Sequence, residues 1–449
     1  MQHECSRFPY IFNLKILHTV ESYLPAQHGM SEVVRQISER LAARGHEVIV
    51  ATCSDPRRFT DVINGVRIHS FDVTGKSALG IYGDIHRYQR FVMDCQPDVI
   101  VNFAAQQWAT DLVFPLLESL PAKKVFVPTG FSALGDKSFR SYFESMRRWL
   151  HLYDASVFLS DDYRDIRFAR DCGYERSAII PNGAAEEEFS RAPCGGLRSE
   201  CGIPEEHFLA IHVAGYLSVA KGQLEALEVF SESSIRDASL LLVCPNFEQS
   251  FLETLTPREM LRAGYHLMRG RGFRAFQLPL RLKLTARKYA RRNANFRRQI
   301  KFVSLPRLKT VEAFQSAQLL LFPSWIECSP IVLFEAAASK TPFLVTDVGN
   351  AREIIQWTNG GRLLAGRRLA DNEGSVVADV QVGASTLNDL HASVALREAM
   401  AHSAHAAWMS YFTWGKIASK YEELYTALLR GEDIRGRFNA PPAVKLGVV

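Results

Sequence analysis

Two glutamates in the second half of the chain, Glu327 and Glu335, are separated by seven residues in a mostly apolar segment. Carboxylates accept hydrogen bonds, so two of them at one cleft would suit a ligand that presents many hydroxyl groups. The spacing alone supports a plainer interpretation equally well. In that interpretation Glu335 complements the dipole of a nearby helix start, and Glu327 is an exposed loop residue.

A helix start is predicted between these two glutamates. The apolar run Leu319–Phe322 predicts a strand, and Ser329 and Pro330 suit the N-cap and the first helical position that follow it. Backbone N–H groups at a helix start have no partner within the helix, and the helix dipole adds a positive potential there. The segment therefore predicts a binding site for a diphosphate, bordered by both carboxylates.

Short β-branched runs alternate with segments of helical periodicity, which predicts parallel sheets covered by helices on both faces. In the first half of the chain the predicted strands are Lys15–Val20, Glu47–Cys53, Val66–Phe71, Asp98–Asn102, Lys124–Val127, Ser156–Ser160 and Ala178–Ile180. The predicted helices between them are Ser31–Arg44, Asp84–Asp94, Asp111–Leu120, Ser138–His151 and Asp162–Asp171.

A turn at Pro181-Asn182-Gly183 precedes a Pro- and Gly-containing stretch, after which the alternation of strands and helices resumes. The later predicted strands are His207–Val213, Ser239–Cys244, Gln299–Val303, Leu319–Pro323 and Pro342–Thr346. We therefore predict an α/β protein with two doubly wound, Rossmann-like domains, residues 1–188 and 207–407, joined by a linker over 189–206. A ligand of such domains lies at the carboxyl ends of the strands, so the site is expected in the cleft between the domains.

The composition is that of a soluble globular protein, with 47% hydrophobic and 22% charged residues among 449. This length exceeds one compact core, and the formal net charge of +5 implies no polyanionic partner by itself. The eight cysteines include no Cys-x-x-Cys pair, which predicts reduced thiols and no metal site. Without a signal-like N-terminus or a long apolar run, we expect a cytoplasmic protein that does not span a membrane.

One stretch departs from this composition, because no Asp or Glu occurs from Met260 to Val311 while Arg and Lys recur throughout. Residues 281–298 have the pattern of a basic amphipathic helix, and we interpret about 246–300 as an insertion into the second domain. The insertion could be a solvated pair of helices, or could bind a polyanion such as nucleic acid, although no nucleic-acid motif accompanies it. It could also rest on anionic lipid headgroups, which we favour slightly. The apolar contacts to lipid would then come from Leu282, Leu284, Tyr289 and Phe296.

The whole set of motifs resembles the family-4 retaining glycosyltransferases of GT-B fold, also described as glycosyl transferases group 1. The resemblance is carried by Glu327-x7-Glu335, by Thr341-Pro342 with Thr346-Asp-Val-Gly349-Asn-Ala-Arg-Glu353, by Gly45-His-Glu-Val48, by Ile180-Pro-Asn-Gly183, by Gly215-Tyr-Leu-Ser-Val-Ala-Lys-Gly222, and by Phe412-Thr-Trp414 with Tyr421–Tyr425. It implies that the first domain lies on the acceptor side and that the second binds the nucleotide sugar. It also implies that a helix over 408–430 crosses back to the first domain, ahead of a tail over 431–449.

The resemblance also implies roles for individual residues. Glu335 would hold the ribose hydroxyls of a nucleotide-sugar donor, and Glu327 the hydroxyls of the transferred sugar. Lys221 would neutralise the diphosphate as charge develops on the leaving group, a role that needs no metal. By itself Lys221 could also be an exposed lysine at a helix start.

Backbone positions complete the predicted donor site. The amides of residues 328 to 331 would meet the sugar and the phosphates, and Gly29 would let the backbone approach the phosphates, unless it only permits a positive φ. The remaining donor-binding candidates are Gly215, Tyr216, Cys328, Ser329, Pro330 and Ile331.

Two positions depart from the family's pattern. The family's phosphate loop usually carries an Arg just after its first Gly, where this chain has Tyr216. The family also often places a His at the end of a first-domain strand, and the corresponding stretch 126–133 has none. Thr129 or Asp136 could substitute for it, but neither is assigned.

By resemblance, the expected activity is retaining transfer of a hexose from UDP- or GDP-hexose to a saccharide or lipid-linked acceptor. No metal or other cofactor is expected, and the product would be a bacterial cell-surface polysaccharide made at the inner face of the membrane. Two other functions stay open. One is an epimerase of the same fold, against which Glu-x7-Glu and the loop lysine argue, and the other is a degenerate, non-catalytic protein that binds nucleotide sugars.

Overall fold

The computed structural model describes residues 13–26, 28–192, 195–245, 278, 281–282, 284–289, 296–369 and 374–444. The chain divides into two compact units. Unit 1 consists of Met1–Phe158, Arg164–Ile180 and Ala418–Asn439, and unit 2 of Leu159–Tyr163, Pro181–Ile417 and Ala440–Val449. Unit 1 therefore combines the N-terminal part of the chain with a segment from near its C-terminus.

Unit 1 is built on an eight-stranded sheet with the strand order β10-β9-β8-β7-β1-β2-β4-β3, parallel except where β3 meets β4. Its strands are β1 (Lys15–Thr19), β2 (Glu47–Cys53), β3 (Val62–Ile63), β4 (Val66–Phe71), β7 (Val99–Phe103), β8 (Lys123–Val127), β9 (Ala155–Phe158) and β10 (Ser177–Ile179). A separate antiparallel hairpin joins β5 (Val73–Lys76) to β6 (Gly80–Gly83). The predicted strands of this half are confirmed to within two residues at each end, because parallel strands covered on both faces appear as continuous apolar runs.

Helices cover the sheet of unit 1. They are α1 (Gly29–Ala43), α2 (Ile85–Asp94), α3 (Trp108–Asp111), α4 (Arg140–Leu152) and α5 (Arg164–Asp171), with 3₁₀ turns at Phe114–Leu116 and Lys137–Phe139. The predicted helix Asp111–Leu120 is wrong. Pro115 lies within that stretch and has no backbone N–H, so the segment forms the short α3 and a 3₁₀ turn instead.

Unit 2 has a six-stranded parallel sheet with the order β13-β12-β11-β14-β15-β16 and a separate β17–β18 pair. Its strands are β11 (Phe208–Val213), β12 (Ala238–Val243), β13 (Arg298–Val303), β14 (Leu319–Phe322), β15 (Phe343–Thr346), β16 (Gly361–Leu364), β17 (Gly366–Arg368) and β18 (Val376–Ala378). The labelled helices from residue 186 onward are α6 (Glu186–Phe189), α7 (Leu197–Glu200), α8 (Gln223–Glu232), α9 (Arg307–Ser316), α10 (Ile331–Ala338), α11 (Ala351–Thr358), α12 (Val380–Ala392), α13 (Val394–Ala407) and α14 (Trp414–Leu429). A 3₁₀ turn covers Val219–Lys221 and a π-helical turn covers Trp408–Phe412.

Each sheet reverses its strand order at one place. In unit 1 the chain proceeds from β1 toward β2 on one side and later from β7 toward β10 on the other, so the reversal lies between β1 and β7. In unit 2 the reversal lies between β11 and β14. Loops that leave adjacent strands in opposite directions open a crevice at the carboxyl edge of a sheet, which is where ligands of doubly wound folds bind.

The described part of the basic insertion packs into unit 2. Leu278, Leu282 and Tyr289 are buried in a core cluster with residues of β11, β12 and α8. The Tyr289 hydroxyl also donates a 2.6 Å hydrogen bond to Glu232 on α8. The prediction that Leu282 and Tyr289 contact lipid is therefore wrong, because both side chains are used to attach the insertion to its own domain.

The rest of that prediction has mixed outcomes. Leu284 is 55% exposed, and Arg281, Arg287 and Lys288 are exposed on the same helical segment. Phe296 is partly buried beside Arg298, whose guanidinium lies 4.7 Å from the centre of its ring. Residues 246–277, 279–280, 283 and 290–295 of the predicted insertion lie outside the described residues. Within the described residues, no helix combines the length and the apolar character needed to cross a membrane.

Candidate functional site

The loops that follow β11 and β14 meet at the reversal point of unit 2. Trp325 donates its backbone N–H to the Ala220 carbonyl at 2.8 Å, and the Ser324 hydroxyl oxygen lies 3.0 Å from the same carbonyl oxygen. Gly222 has φ 72°, and a Cβ there would lie 2.0 Å from the Pro323 carbonyl oxygen. Only glycine allows the two loops to come this close. Gly222, the last residue of the predicted phosphate loop, is therefore required where that loop packs against the Glu-x7-Glu loop.

Lys221 and Glu327 form an ion pair at this meeting point. The Lys221 Nζ lies 2.7 Å from the Glu327 Oε1, and the Ser324 hydroxyl donates to the same oxygen at 2.8 Å. Their side chains are only 18% and 13% exposed. The structure thus brings together the two residues predicted as catalytic, and neither is the exposed surface residue of the plainer interpretations.

Glu335 forms a different ion pair, which was not predicted. It lies in the second turn of α10 with a side chain 6% exposed, and its Oε1 is 2.6 Å from a terminal nitrogen of Arg307. Arg307, the first residue of α9, also donates from Nε to Glu188 of α6 at 3.0 Å. Burial disfavours the charge, but the two carboxylates outweigh it and raise the pKa of Arg307 above its ordinary value. Glu335 is therefore held by a half-buried cation that bridges two carboxylates, rather than by the helix dipole alone.

The start of α10 lies one residue later than predicted. Pro330 is the N-cap and Ile331 the first helical residue, because the first helical hydrogen bond runs from Leu333 N–H to the Pro330 carbonyl at 3.2 Å. Ser329 is consequently not the N-cap, and its buried hydroxyl has no hydrogen-bond partner in the described part of the chain. Pro330 carries no N–H, so of the four predicted backbone donors only those of Cys328, Ser329 and Ile331 exist.

The carbonyls of three consecutive loop residues are fixed by donors from other parts of unit 2. The Tyr163 hydroxyl donates to Glu327 O at 2.6 Å, Asn350 N–H to Cys328 O at 2.9 Å, and Asn182 Nδ2 to Ser329 O at 3.0 Å. These bonds orient the loop that carries Glu327, and they give a positioning role to Asn182 and Asn350, which lie in the resemblance motifs. Tyr163 was not predicted.

The remaining candidates of unit 2 lie on the loop after β11. Gly215 is the second residue after β11, and Tyr216 is 55% exposed. The Lys221 Nζ lies 5.4 Å from the centre of the Tyr216 ring, a distance at which a cation is attracted to an aromatic face. The aromatic side chain at position 216 therefore stands beside the loop lysine.

Gly29 belongs to unit 1, where it is the first residue of α1. A first helical residue has right-handed helical dihedrals, so the interpretation that Gly29 only permits a positive φ is wrong. Of the two substitutes considered for the missing His, Asp136 accepts from Ser138 N–H at 2.8 Å and so caps a 3₁₀ turn. Thr129 has φ 58°, and neither acquires a role in the donor site from these contacts.

Two family models match the chain. Residues 28–188 match Glycosyltransferase Family 4, and residues 281–379 match Glycosyl transferases group 1. The first match covers most of the described N-terminal strands, and the second contains both glutamates. No curated protein sequence matches the chain.

Solved structures share the fold over nearly the whole chain. A sucrose-phosphate synthase from Thermosynechococcus elongatus superposes with a TM-score of 0.68 at 16% identity, covering 93% of this chain and 99% of that chain. Anabaena HepE in complex with UDP-glucose gives 0.66 at 15% identity, covering 92% and 100%. WaaG, a glycosyltransferase involved in lipopolysaccharide biosynthesis, gives 0.60 at 19% identity, covering 92% and 99%. At these identities the likeness establishes the fold, which is two Rossmann-like domains of the GT-B type.

Proposed function

The chain belongs to the family-4, group 1 glycosyltransferases with the GT-B fold, and from this we propose that it transfers a hexose, with retention, from a nucleotide diphosphate sugar. The observation that carries the proposal is the Lys221–Glu327 pair at the reversal point of unit 2, with Glu335 one helix turn and a half into α10. One cation and two carboxylates beside a helix start provide groups for a diphosphate, a hexose and a ribose.

In the proposed reaction, the bond between the anomeric carbon and the diphosphate oxygen breaks while the acceptor oxygen bonds to the same face of the sugar. The acceptor proton passes to the departing diphosphate. Lys221 leaves Glu327 for the diphosphate, where its charge stabilises the developing negative charge without a metal. Glu327 then accepts hydrogen bonds from the hydroxyls of the hexose, so one exchange of partners prepares both residues for catalysis.

Glu335 is proposed to accept hydrogen bonds from the ribose hydroxyls. Its pairing with Arg307 favours the ionised carboxylate, which is the stronger hydrogen-bond acceptor. A UDP-hexose is the first donor to test because Anabaena HepE is described in complex with UDP-glucose, and a GDP-hexose is the second.

The proposed acceptor is a saccharide or a lipid-linked glycan of a bacterial cell-surface polysaccharide. The description of WaaG as a lipopolysaccharide enzyme supports this assignment, as do the exposed cations of the insertion, which could face an anionic membrane. Deleting the insertion would be a poor test, because Leu278, Leu282 and Tyr289 belong to the core of unit 2.

Point variants test the membrane contact instead. Replacing Arg281, Arg287 and Lys288 by Ala should weaken binding to vesicles containing an anionic phospholipid by about fivefold per charge, since each basic side chain near such a surface contributes about 1 kcal/mol. The exposed Arg148 of unit 1 offers a control substitution. Binding that is insensitive to salt, or equal in the variant, would leave the insertion as a solvated segment.

A thermal-shift panel of UDP, GDP, ADP and their hexose conjugates tests the donor assignment, because a ligand that binds the folded state raises its melting temperature. A shift for one nucleotide family that disappears in Glu335→Ala is the expected result. No shift from any of them would favour a degenerate binding protein. Chromatography of the sugar products then separates transfer from epimerisation, which would convert the donor without an acceptor.

A further inference from the structure

The first turn of α8 directly follows the loop that carries Lys221. The helix begins after Gly222, and Ala226 N–H donates to the Gly222 carbonyl at 2.9 Å. Within this turn, Gln223 is fully buried and donates from Nε2 to the Tyr216 carbonyl at 3.0 Å. The turn therefore anchors both ends of the predicted phosphate loop.

Glu225, in the same turn, is an acid in an unusual place. A carboxylate in the first turn of a helix complements the helix dipole, but glutamates are ordinarily exposed. Glu225 is only 6% exposed, and its Oε2 has no hydrogen-bond partner in the described part of the chain. A buried carboxyl oxygen without a donor is unfavourable, so the position of Glu225 requires a group that supplies one.

The indole N–H of Trp325 is such a donor. It lies close enough to lower the pKa of the Glu225 carboxyl, as a hydrogen-bond donor does. The Trp325 Nε1 is itself buried, however, and completes no hydrogen bond within the described residues. A buried donor and a buried acceptor therefore lie side by side in unit 2, and closing the short gap between them would satisfy both.

Trp325 connects this pair of groups to Glu327. Its backbone N–H donates to the Ala220 carbonyl at 2.8 Å, and its carbonyl accepts from Val376 N–H of β18 at 2.8 Å. Glu327 is two residues later, and its Oε1 lies 2.7 Å from the Nζ of Lys221, the residue after Ala220. The orientation of Trp325 therefore affects the loop that presents Glu327 to Lys221.

The charge on Glu225 decides how strongly it accepts a hydrogen bond. Burial raises the pKa of its carboxyl to about 7, although its own backbone N–H and the Trp325 indole lower it. Glu228 on the same helix raises that pKa further and Arg281 of the insertion lowers it, whereas Lys288 acts on Glu228. An ionised carboxylate accepts a shorter and stronger hydrogen bond than a neutral carboxyl, so the bond to Trp325 should form as the pH rises through 7.

The other elements packed against α8 carry few ionisable side chains. The strand β12 contains none, and Asp379 caps α12 by accepting from two of its backbone N–H groups. Asp389 and His391 lie at the other end of α12, beside Asn388, whose Oδ1 accepts from the N–H of Ser234, two residues after α8. On the adjoining loops, the ion pair described above is already formed. The indole N–H is therefore the donor available to the α8 carboxyl.

We propose that Glu225 is a positioning residue, whose carboxylate accepts a hydrogen bond from the Trp325 indole and so fixes the loop that carries Glu327. This inference rests on the proposed function for the reaction that the loop serves. Glu225 acts through Trp325 and is not assigned a contact with the donor or the acceptor. Without the bond, Trp325 is held through its backbone alone, and Glu327 is aligned less precisely with Lys221.

The hydrogen bond is tested by NMR on the full chain labelled with ¹⁵N-tryptophan, where Trp325→Phe identifies the indole N–H resonance of Trp325. In the wild type this resonance should move downfield as the pH rises, with a midpoint near the carboxyl pKa of about 7. It should not move in Glu225→Gln, which keeps the shape of the side chain but does not ionise. Glu228→Gln is the matched control. It removes the charge that raises the pKa of Glu225, so the midpoint should fall while the movement remains.

The positioning role is tested by the pH dependence of kcat, with the donor found in the thermal-shift panel. The ratio of the wild-type kcat to that of Glu225→Gln should rise about tenfold as the pH passes through the carboxyl pKa, as expected for a hydrogen bond to a charged group. Trp325→Phe should lower kcat by the same factor at high pH. The double variant should show no further loss, because both substitutions remove one bond.

The two measurements separate the possible failures. A Trp325 resonance that does not titrate, or that titrates equally in Glu225→Gln, would overturn the hydrogen bond whether or not the protein transfers a sugar. A kcat ratio that is constant with pH would overturn the positioning role while the transferase function stands. If the resonance titrates through Glu225 but no transfer is found, the bond stands and the proposed function fails. If Trp325→Phe does not fold, the one indole resonance that titrates in the wild type and not in the isosteric Glu225→Gln decides the result.

Discussion

The two reversal points of this molecule are built on the same topology but carry opposite electrostatic arrangements. In unit 2, the side chains at the carboxyl edge neutralise one another, since Lys221 pairs with Glu327 and Arg307 with Glu335. In unit 1, the buried Gln106 Nε2 lacks a hydrogen-bond partner among the described residues, and non-glycine residues with positive φ follow β7 and β8. Paired charges suit a charged ligand that exchanges partners with them.

The largest effect is expected when the Lys221–Glu327 ion pair of unit 2 is broken. Lys221→Ala should lower the transfer rate by about 100-fold or more, as expected when one group that stabilises developing charge is removed. Steady-state kinetics with the donor found in the thermal-shift panel measure the rate, and the exposed Lys416 provides a control substitution. Wild-type activity in Lys221→Ala would remove this residue from the mechanism.

The second prediction concerns the other ion pair. Arg307→Gln should weaken nucleotide binding by about tenfold, because Glu335 loses the cation that holds it ionised. The loss should vanish for a 2′,3′-dideoxynucleotide, which lacks the hydroxyls that Glu335 is proposed to bind. Isothermal titration of UDP and dideoxy-UDP to the wild type, Arg307→Gln and Arg307→Lys measures this difference. An equal loss for both nucleotides would mean that Arg307 acts on the fold and not on the ribose subsite.

The third prediction exploits the buried acid of unit 1. Burial raises the pKa of Asp111 to about 6, despite the hydrogen bonds from Ser77 and Tyr142 that lower it. The folded state therefore binds this proton more tightly than the unfolded state, so the stabilisation is complete below about pH 4 and is lost as the pH rises through 6. Relative to Asp111→Asn, the wild type should lose on the order of 2 kcal/mol of unfolding free energy between pH 4 and pH 7.

Urea unfolding at four pH values measures that slope. Asp136→Asn is the control with the opposite sign, because hydrogen bonds from Ser138 lower the pKa of the exposed Asp136. A wild-type slope identical to that of Asp111→Asn would show that Asp111 has an ordinary pKa in the folded protein.

The smallest effect is expected at Tyr216. Tyr216→Ala removes an aromatic face 5.4 Å from the Lys221 ammonium, a contact of about 0.5–1 kcal/mol at an exposed site. Nucleotide affinity should change by no more than about fivefold. Tyr216→Arg should instead tighten diphosphate binding, because it adds a cation beside the loop lysine. A large loss in Tyr216→Ala would mean that the ring contacts the donor directly.

Much of the fold could be predicted because most strands of both sheets are buried on both faces, so their sequences are continuous apolar runs. The Glu-x7-Glu loop was equally accessible, since Glu327 and Glu335 lie close in sequence. Resemblance alone placed Lys221 at the same site as Glu327, 106 residues away, and their ion pair was not predicted. The short edge strand β3, the β5–β6 hairpin and β17 were not predicted, because most of their residues are exposed or half-buried and show no clear periodicity. The short strands β16 and β18 were also not predicted.

The supporting residues could not be predicted. Arg307 and Glu188 are 119 residues apart, and Arg307 lies in an acid-free stretch that gave no local hint of a carboxylate partner. The same stretch misled the interpretation of Leu282 and Tyr289. An amphipathic pattern indicates that one face is covered, but it does not reveal whether lipid or the protein's own α8 covers it.

The composition of unit 1 has a consequence for synthesis on the ribosome. The sheet begins with β1, yet the unit also contains Ala418–Asn439, so Tyr421 and Tyr425 of α14 are buried in its core. Glu422 of the same helix pairs with Arg44 and His46. Both of these residues lie in the short connection between α1 and β2. The first half of the chain therefore leaves the ribosomal exit tunnel long before α14, which completes unit 1, has been synthesised. During that interval the nascent sheet exposes the apolar surface that Tyr421 and Tyr425 cover in the folded protein.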